Sequence, residues 1–194
     1  MRKFQSIALA TALAAAAATA GLAVSGATAN AKTVTAGHAA QSVTASRDGG
    51  KVSTVRANER EVIAFLRDVI DEHHGDHVAR YLTKDAAWHG GTVGTAAGRA
   101  NVAGLFAGVV ASLPNSHIVV QDIFGQGDQV AVRVTVSGTQ KGALIGIPAS
   151  GRNIHWTGED LYTLRDGKIS SIWAGDDWTA ILYYTGTYKA PWIA

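Results

Sequence analysis

The sequence predicts one folded domain of the α+β class, with helices first and an antiparallel sheet after them. Between residues 58 and 113 apolar residues recur at helical spacing, whereas after Pro114 they recur at every second position. The later segments are joined by short turns, so neighbouring strands are expected to be antiparallel. Such a sheet curls over the helices and encloses a cavity, which is where a ligand would bind.

Two to three helices are predicted in the first half of the domain, and two of them can be delimited. In NEREVIAFLRDVIDEHH, Asn58 and Glu61 have capping-box spacing. The helical period then places one apolar face on Val62, Phe65, Leu66, Val69 and Ile70. The second helix, in GRANVAGLFAGVVASLP, ends at Pro114 and has an apolar face made of Val102, Leu105, Phe106, Val109, Val110 and Leu113.

Four strands are predicted after Pro114, and QVAVRVTVSG is the clearest of them. Its valines, Val130, Val132, Val134 and Val136, alternate with Ala131, Arg133 and Thr135. One face of this strand should therefore be buried and the other partly polar. The stretches HIVVQDIF, NIHWTGEDLYTL and KISSIWAGD predict the other three strands.

The first 31 residues have the pattern of a secretory signal peptide. Arg2 and Lys3 precede an apolar Ala/Leu-rich run, and small residues follow as far as Ala31, where cleavage is expected. Residues 32–57 are rich in Ala, Thr, Ser and Gly and predict a flexible leader. Residues 58–188 are the predicted folded domain and 189–194 a C-terminal tail. We expect a secreted protein that is not attached to a membrane.

The composition argues against several classes of function. The chain has 17 Lys and Arg against 15 Asp and Glu, and loss of Arg2 and Lys3 with the signal leaves fifteen of each. With no net charge and no basic run, nucleic acid is not an expected partner. There is no cysteine, so disulfides and catalytic thiols are excluded. The stretch GGTVGTAAG follows no parallel-sheet pattern, so no nucleotide cofactor is predicted.

The histidine-rich stretch DEHHGDH contains residue types that bind metals. His73 and His77 are four positions apart, with Asp76 between them, and would share a helix face only if the helix continued. Gly75 is expected to interrupt the helix, and no later residue supplies an obvious third ligand. We therefore predict a solvated helix end and no metal site.

Four short segments carry a resemblance to a known family. They are GTQKG at 138–142, GIPASGR at 146–152, the DGKI turn at 166–169 and LYYTG at 182–186. Together with their order, they resemble the SnoaL-like polyketide cyclases, or ester cyclases, of the nuclear-transport-factor-2-like superfamily. The resemblance covers roughly residues 58 to 186. It implies a conical α+β barrel with an apolar pocket, a small apolar carbonyl or polyketide-like ligand, and homodimers of the kind common in this superfamily.

The same resemblance implies acid–base chemistry without a cofactor. In these cyclases a proton is removed from a carbon next to a carbonyl, and the carbanion closes a ring in an intramolecular aldol step. The family's acid–base aspartate, counted without gaps from Asp166, falls on Ala174. Its histidine on the preceding strand falls on Asp160 or Tyr162, depending on the gap. The known catalytic pair therefore does not carry over intact.

Two adjacent aspartates offer a substitute for the missing base. Asp176 points to the same side of the last strand as Ala174, because side chains alternate along a strand. Alternatively, Asp176 or Asp177 caps the tail helix DWTAILYY by accepting backbone N–H groups.

Further pocket residues are predicted on the neighbouring elements. In the predicted strand NIHWTGEDLYTL, one face carries Trp156, Asp160, Tyr162 and Leu164. We favour this face as pocket lining over the opposite face, which carries His155 and Glu159. His89 is placed where the family often carries a polar pocket residue, although a loop histidine is commonly a surface residue. The predicted catalytic set is Asp176, His89, Asp160 and Tyr162, and the predicted apolar walls are Trp88, Trp156, Trp173 and Phe106.

Two functions remain open from the sequence. One is a secreted cyclase-type enzyme, and the other is an extracellular binding protein that has kept the pocket and lost the chemistry. Ala174 and the predicted export favour the second. A dimer surface that includes Trp178, Tyr183, Tyr184 and Trp192 is compatible with both.

Overall fold

The computed structural model describes residues 48–192, and the predicted signal peptide lies outside the described residues. The helices are α1 (Asp48–Leu66), α2 (Val78–Tyr81), α3 (Arg99–Ser112) and α4 (Trp178–Thr185). The strands are β1 (Leu82–His89), β2 (Thr95–Ala97), β3 (His117–Gln126), β4 (Gln129–Thr139), β5 (Asn153–Arg165) and β6 (Lys168–Trp173). Across this range, none of the helices combines the length and apolarity that a membrane span needs.

Helix α1 is longer than predicted. It begins at Asp48, so residues 48–57 are helical and Asn58 lies inside the helix instead of capping it. The prediction of a flexible leader up to residue 57 is wrong for these ten residues. The Asn58 amide donates to the carbonyl oxygen of Gly127 at 3.2 Å, and Glu59 accepts from the N–H of Gly125 at 2.8 Å. These polar groups hold the helix against the β3–β4 hairpin.

The predicted apolar face of α1 is confirmed, since Val62, Phe65, Leu66, Val69 and Ile70 are all buried. After Leu66 the helix continues as a single π-helical turn, Arg67–Asp71. The chain then reverses at His73, whose φ of 61° lies in the left-handed region. Gly75 starts a 3₁₀ turn, Gly75–His77, so the predicted interruption of the helix is confirmed.

The sheet has six strands in the order β2-β1-β6-β5-β4-β3. The four predicted strands are confirmed, and their neighbours pair antiparallel. Strands β1 and β2 were missed, because Lys84 and Asp85 break the alternation of β1 and β2 has only three residues. The sheet is mixed, since β1 pairs parallel to β6.

The sheet curves around the helices, as the α+β prediction requires. Its register shifts between Val120 and Asp122 and again between Thr163 and Leu164, and such bulges bend strands. The predicted inward face of β4 is buried, as are Trp156, Tyr162 and Leu164 of β5. The core therefore lies between the concave face of the sheet and α1, α3 and α4.

Candidate functional site

An apolar cavity of about 70 Å³ lies between the concave face of the sheet and the helices. Its walls are apolar or aromatic apart from two carboxyl groups, those of Asp160 and Asp176. None of the described residues that line it is Lys, Arg or His. The remaining lining residues are Leu66, Ile70, Trp88, Leu105, Phe106, Val109, Ile118, Val134, Val136, Leu144, Ile145, Trp156, Tyr162, Ala174, Trp178 and Ile181.

The segment that follows β6 places Asp176 in this cavity. After Trp173, residues 174–177 run beside β5, where Asp177 N–H donates to the carbonyl of Thr157 at 2.9 Å and Glu159 N–H donates to that of Gly175 at 3.3 Å. A Cβ at position 175 would lie 2.5 Å from the Glu159 carbonyl oxygen, so only glycine allows this approach. Asp176 then accepts a hydrogen bond from Trp156 Nε1 at 2.6 Å.

Asp177 caps helix α4, which is the second role considered for the two adjacent aspartates. It precedes α4, and its Oδ1 accepts from the N–H of Ala180 at 3.0 Å. This is the geometry of an N-cap. The hypothesis that one aspartate caps the last helix is confirmed for Asp177, while Asp176 faces the cavity on the same side as Ala174.

Asp160 and Tyr162 lie on the inward face of β5, as predicted. The carboxylate of Asp160 accepts from Gly175 N–H and from the Tyr162 hydroxyl, each at 3.2 Å. Gly158 lies between the two carboxyl groups, since a Cβ there would be 3.3 Å from Asp176 Oδ1 and 3.7 Å from Asp160 Oδ1. Both carboxyl groups thus lie close to the backbone of Gly158, together with a methyl group of Val134 at 3.2 Å from the same Cβ position, so a side chain at position 158 would crowd them.

The apolar surroundings change the protonation of this pair. Burial, followed by the charge of Asp176, raises the pKa of Asp160 from 3.8 to about 7, against the lowering effect of its hydrogen bonds from Gly175 and Tyr162. Burial also raises the pKa of Asp176, and the Trp156 hydrogen bond opposes this rise. Burial and the charge of Asp160 raise the pKa of Tyr162 well above its ordinary value. Near neutral pH the two carboxyls can therefore hold one proton between them.

Two predicted site residues lie elsewhere. The rings of His89 and Trp173 stack on each other with centroids 4.2 Å apart, and Trp173 is 56% exposed. Neither lines the cavity, because their strand neighbours Trp88 and Ile172 point inward and side chains alternate. The prediction that His89 and Trp173 belong to the pocket is therefore wrong. Trp88, Trp156 and Phe106 do line it.

Sequence reasoning missed the part of the wall that α4 and the β4–β5 loop supply. Trp178 and Ile181 of α4 are three positions apart, a spacing that could have indicated one inward face. Leu144 and Ile145 come from the loop that carries the GTQKG and GIPASGR motifs. The loop is fixed by the fully buried Gln140, whose amide donates to the carbonyls of residues 147 and 148 and accepts from Ser150.

Comparison with known proteins connects this architecture to a family. The sequence model of the family described as SnoaL-like polyketide cyclase matches residues 60–183. A search of curated proteins found no significant match.

Three solved structures have similar folds. One is a candidate SnoaL-like polyketide cyclase from Jannaschia sp. CCS1, with 21% identity and a TM-score of 0.60 over 70% of this chain and 95% of that chain. IdmH, a candidate polyketide cyclase from Streptomyces antibioticus, has 28% identity and a TM-score of 0.54 over 66% of this chain and 98% of that chain. A hypothetical protein with a ketosteroid isomerase-like fold from Catenulispora acidiphila has 20% identity and a TM-score of 0.56 over 69% of this chain and 97% of that chain. Because the family match spans well over half of the sequence, the chain belongs to the SnoaL-like polyketide cyclase family.

Proposed function

We propose that this protein is an enzyme that performs acid–base chemistry without a cofactor on a small apolar carbonyl compound. The observation that carries the proposal is the pair Asp160 and Asp176, which face the same space in an otherwise apolar cavity. Paired carboxyls whose surroundings raise their pKa values are typical of sites that hold one acid and one base. Family membership supports cyclase-type chemistry on a polyketide-like ligand.

Asp176 is the proposed base. Its Oδ1 is fixed by the Trp156 N–H, which leaves Oδ2 to take a proton from a carbon next to a carbonyl. Its raised pKa makes this carboxylate a stronger base than an exposed aspartate.

Asp160 is the proposed acid. With a pKa of about 7, its carboxyl group carries a proton that it can donate to the carbonyl oxygen as the enolate forms. The Tyr162 hydroxyl and the Gly175 N–H hold this carboxyl group in place.

Ring closure follows within the same molecule. The enolate carbon attacks a second carbonyl carbon, and a carbon–carbon bond forms while that carbonyl becomes an alkoxide. The alkoxide takes the proton held by Asp176, and the first carbonyl reforms as its oxygen returns its proton to Asp160. The product is an isomer of the substrate, and both carboxyl groups return to their starting states. The apolar walls contribute by folding the substrate and excluding water.

The size of the cavity bears on the substrate. At about 70 Å³ it is smaller than the roughly 150 Å³ engineered cavity that binds benzene. A ring-forming substrate therefore requires the partly exposed lining residues Leu105, Phe106 and Trp178 to move outward.

A second candidate function is ligand binding without chemistry. It is favoured by Ala174, a cavity-lining residue that stands where the family's aspartate is expected. A protein of this kind would carry or sequester an apolar compound outside the cell, in agreement with the predicted signal peptide.

The experiment that separates the two begins with mass spectrometry of the small molecule that co-purifies with the protein from culture medium. Incubation of that compound with fresh protein should change its ring state without changing its mass. Asp176→Asn should lower turnover by about 10²–10⁴-fold, because it removes the base and leaves the Trp156 hydrogen bond possible.

Asp177→Asn is the matched control, since asparagine also caps helices and residue 177 is outside the cavity. It should keep full turnover. An unchanged compound, or Asp176→Asn with normal turnover, would refute the catalytic proposal and favour the binding protein.

A further inference from the structure

A cluster of two histidines and one aspartate lies at the end of the first helix, outside the cavity. Asp68 belongs to the π-helical turn, and His74 and His77 follow it. His74 Nδ1 is 2.7 Å from Asp68 Oδ1, and His77 Nδ1 is 3.0 Å from the same oxygen and 3.1 Å from Oδ2. One ligand atom from each of the three residues lies within 4.8 Å of the other two.

The reversal of the chain at His73 assembles this cluster. A φ of 61° is uncommon for residues other than glycine, and histidine, asparagine and aspartate are the side chains that adopt it most often. The turn is held by a hydrogen bond between His73 Nε2 and the Ser116 carbonyl at 2.9 Å. It is also held by His74 N–H, which donates to the Asp68 carbonyl at 3.1 Å. His74 is thereby brought back over Asp68, although six positions separate them.

We propose that Asp68, His74 and His77 form a binding site for a divalent transition-metal ion, with Zn²⁺ as the cation that suits these donors best. Zinc favours imidazole nitrogen and carboxylate oxygen in tetrahedral geometry, with bonds of about 2.0–2.1 Å. Such bonds place neighbouring ligand atoms about 3.3 Å apart. The observed separations of 2.7 and 3.0 Å need to open by about 0.6 and 0.3 Å to reach that spacing.

The groups around the cluster suit an ion at this place. The Tyr81 hydroxyl donates to Asp68 Oδ2 at 2.8 Å and orients the carboxylate, so that Oδ1 remains for the metal. Glu72 Oε2 is 3.7 Å from His74 Nδ1, so a fourth ligand position is within reach of this carboxylate or of solvent. The side chain of His74 is 45% exposed, so an ion can enter from solvent.

The role of this site is structural. None of its three ligands lines the cavity. A bound ion would connect the π-helical turn, the loop after it and the start of α2. Tyr81 of α2 packs edge-on against the buried ring of Phe65, with centroids 5.5 Å apart, so the connection extends to the core. Because an ion that binds only the folded state stabilises it, zinc should raise the melting temperature.

The test uses the untagged full chain after removal of metals with EDTA. Calorimetric titration with ZnCl₂ should give one ion per chain, and Tm should rise by about 5 °C or more at zinc 100-fold above Kd. His74→Ala and His77→Ala should each weaken binding by at least about 10-fold, and the double variant should lose the rise in Tm.

The matched control is His117→Ala. His117 Nδ1 forms a similar contact with Asp71 Oδ1 at 2.9 Å, but within residues 48–192 no second histidine joins that pair, so zinc binding should be unchanged. If His77→Ala fails to fold by circular dichroism, Tyr81→Phe replaces it, because this change keeps all three ligands. It should weaken zinc binding by about 10-fold.

Substitution of Co²⁺ for Zn²⁺ gives a readout of the ligands that does not depend on stability. Visible absorption bands of tetrahedral cobalt are expected for the unaltered protein and for His117→Ala, and not for the double variant. Absence of one-to-one binding, equal affinity in the double variant, or equal losses in His117→Ala and His74→Ala would each overturn the proposal. The cluster would then be only a hydrogen-bond network at the helix end.

Discussion

At the scale of single residues, Asp176 and Asp177 are adjacent aspartates with different surroundings. Asp177 is exposed and accepts a backbone N–H at the start of α4. Asp176 accepts from the Trp156 indole inside an apolar cavity. Burial raises the pKa of Asp176, and burial together with the charge of Asp176 raises that of Asp160. The protonation behaviour of these aspartates is therefore set by desolvation and neighbouring charge, and not by residue type alone.

The raised pKa of Asp160 predicts how stability depends on pH. The folded state holds this proton up to a pH of about 7, whereas the unfolded chain releases it near 3.8. The contribution of Asp160 is therefore most favourable below about pH 4 and is lost as the pH rises to 7. The variant Asp160→Asn has no ionisable group at this position, so it should not show this decrease in stability as the pH rises. From pH 4.5 to 8 the variant should gain about 2–4 kcal/mol in free energy of unfolding relative to the unaltered protein.

Urea unfolding at both pH values measures this difference. The hydrogen-bond acceptor lost in the variant costs the same at each pH, so only the ionisation contributes to the change. Asp177→Asn serves as the control and should differ from the unaltered protein by a constant amount. A constant difference for Asp160→Asn as well would show that the pKa of Asp160 is not raised.

At the scale of elements, the segment between β6 and α4 positions the site. Residues 174–177 bind along β5, with Asp176 opposite Gly158. Two glycines make this possible: Gly175 allows the backbones to approach, and Gly158 has no side chain that would crowd Val134 and the two carboxyls. The segment thus determines both the direction of Asp176 and the start of α4.

Gly175→Ala should disrupt this arrangement. The added methyl group would lie 2.5 Å from the Glu159 carbonyl oxygen, so the segment must shift, at a cost of about 1–3 kcal/mol in free energy of unfolding. Gly104→Ala, in the exposed face of α3 with no atom near its Cβ position, should instead be neutral or stabilise by up to about 1 kcal/mol. Thermal or urea unfolding of both variants decides the matter. Equal stability of the two would mean that the close approach at position 175 is not needed.

At the scale of the whole molecule, the family fold provides a cavity closed by a curved sheet on one side and by helices on the other. The cavity depends also on α4 and on the β4–β5 loop held by Gln140, which supply walls in addition to those of the strands. The proposed zinc site would hold the end of α1 and the start of α2 together without taking part in the chemistry.

Export is the prediction that concerns the full chain. When the 194-residue sequence is expressed in a bacterial host with a general secretion pathway, the protein recovered outside the cytoplasm should have the mass of a chain that starts at Lys32. Replacing both Arg2 and Lys3 by Glu should reduce this fraction, because the positive region precedes the apolar run of a signal peptide. Recovery of only the full-length mass inside the cell would contradict the prediction.

The sequence by itself determined which faces of α1, β4 and β5 are buried. The helical period of α1 and the alternation in β4 and β5 identified core residues and placed Asp160 and Tyr162 inward, because burial on one face imposes a local repeat. His89 and Trp173 were misplaced, since the pattern alone did not show which face of β1 and β6 meets the helices.

Only the tertiary structure decided which distant segments meet. The parallel pairing of β1 with β6, the contact of residues 174–177 with β5, and the return of His74 to Asp68 all join residues whose local sequence does not specify a partner. These contacts depend on packing and on single backbone reversals such as His73, which leave no periodic pattern. The separate roles of Asp176 and Asp177, and the assembly of the histidine cluster, follow from those contacts.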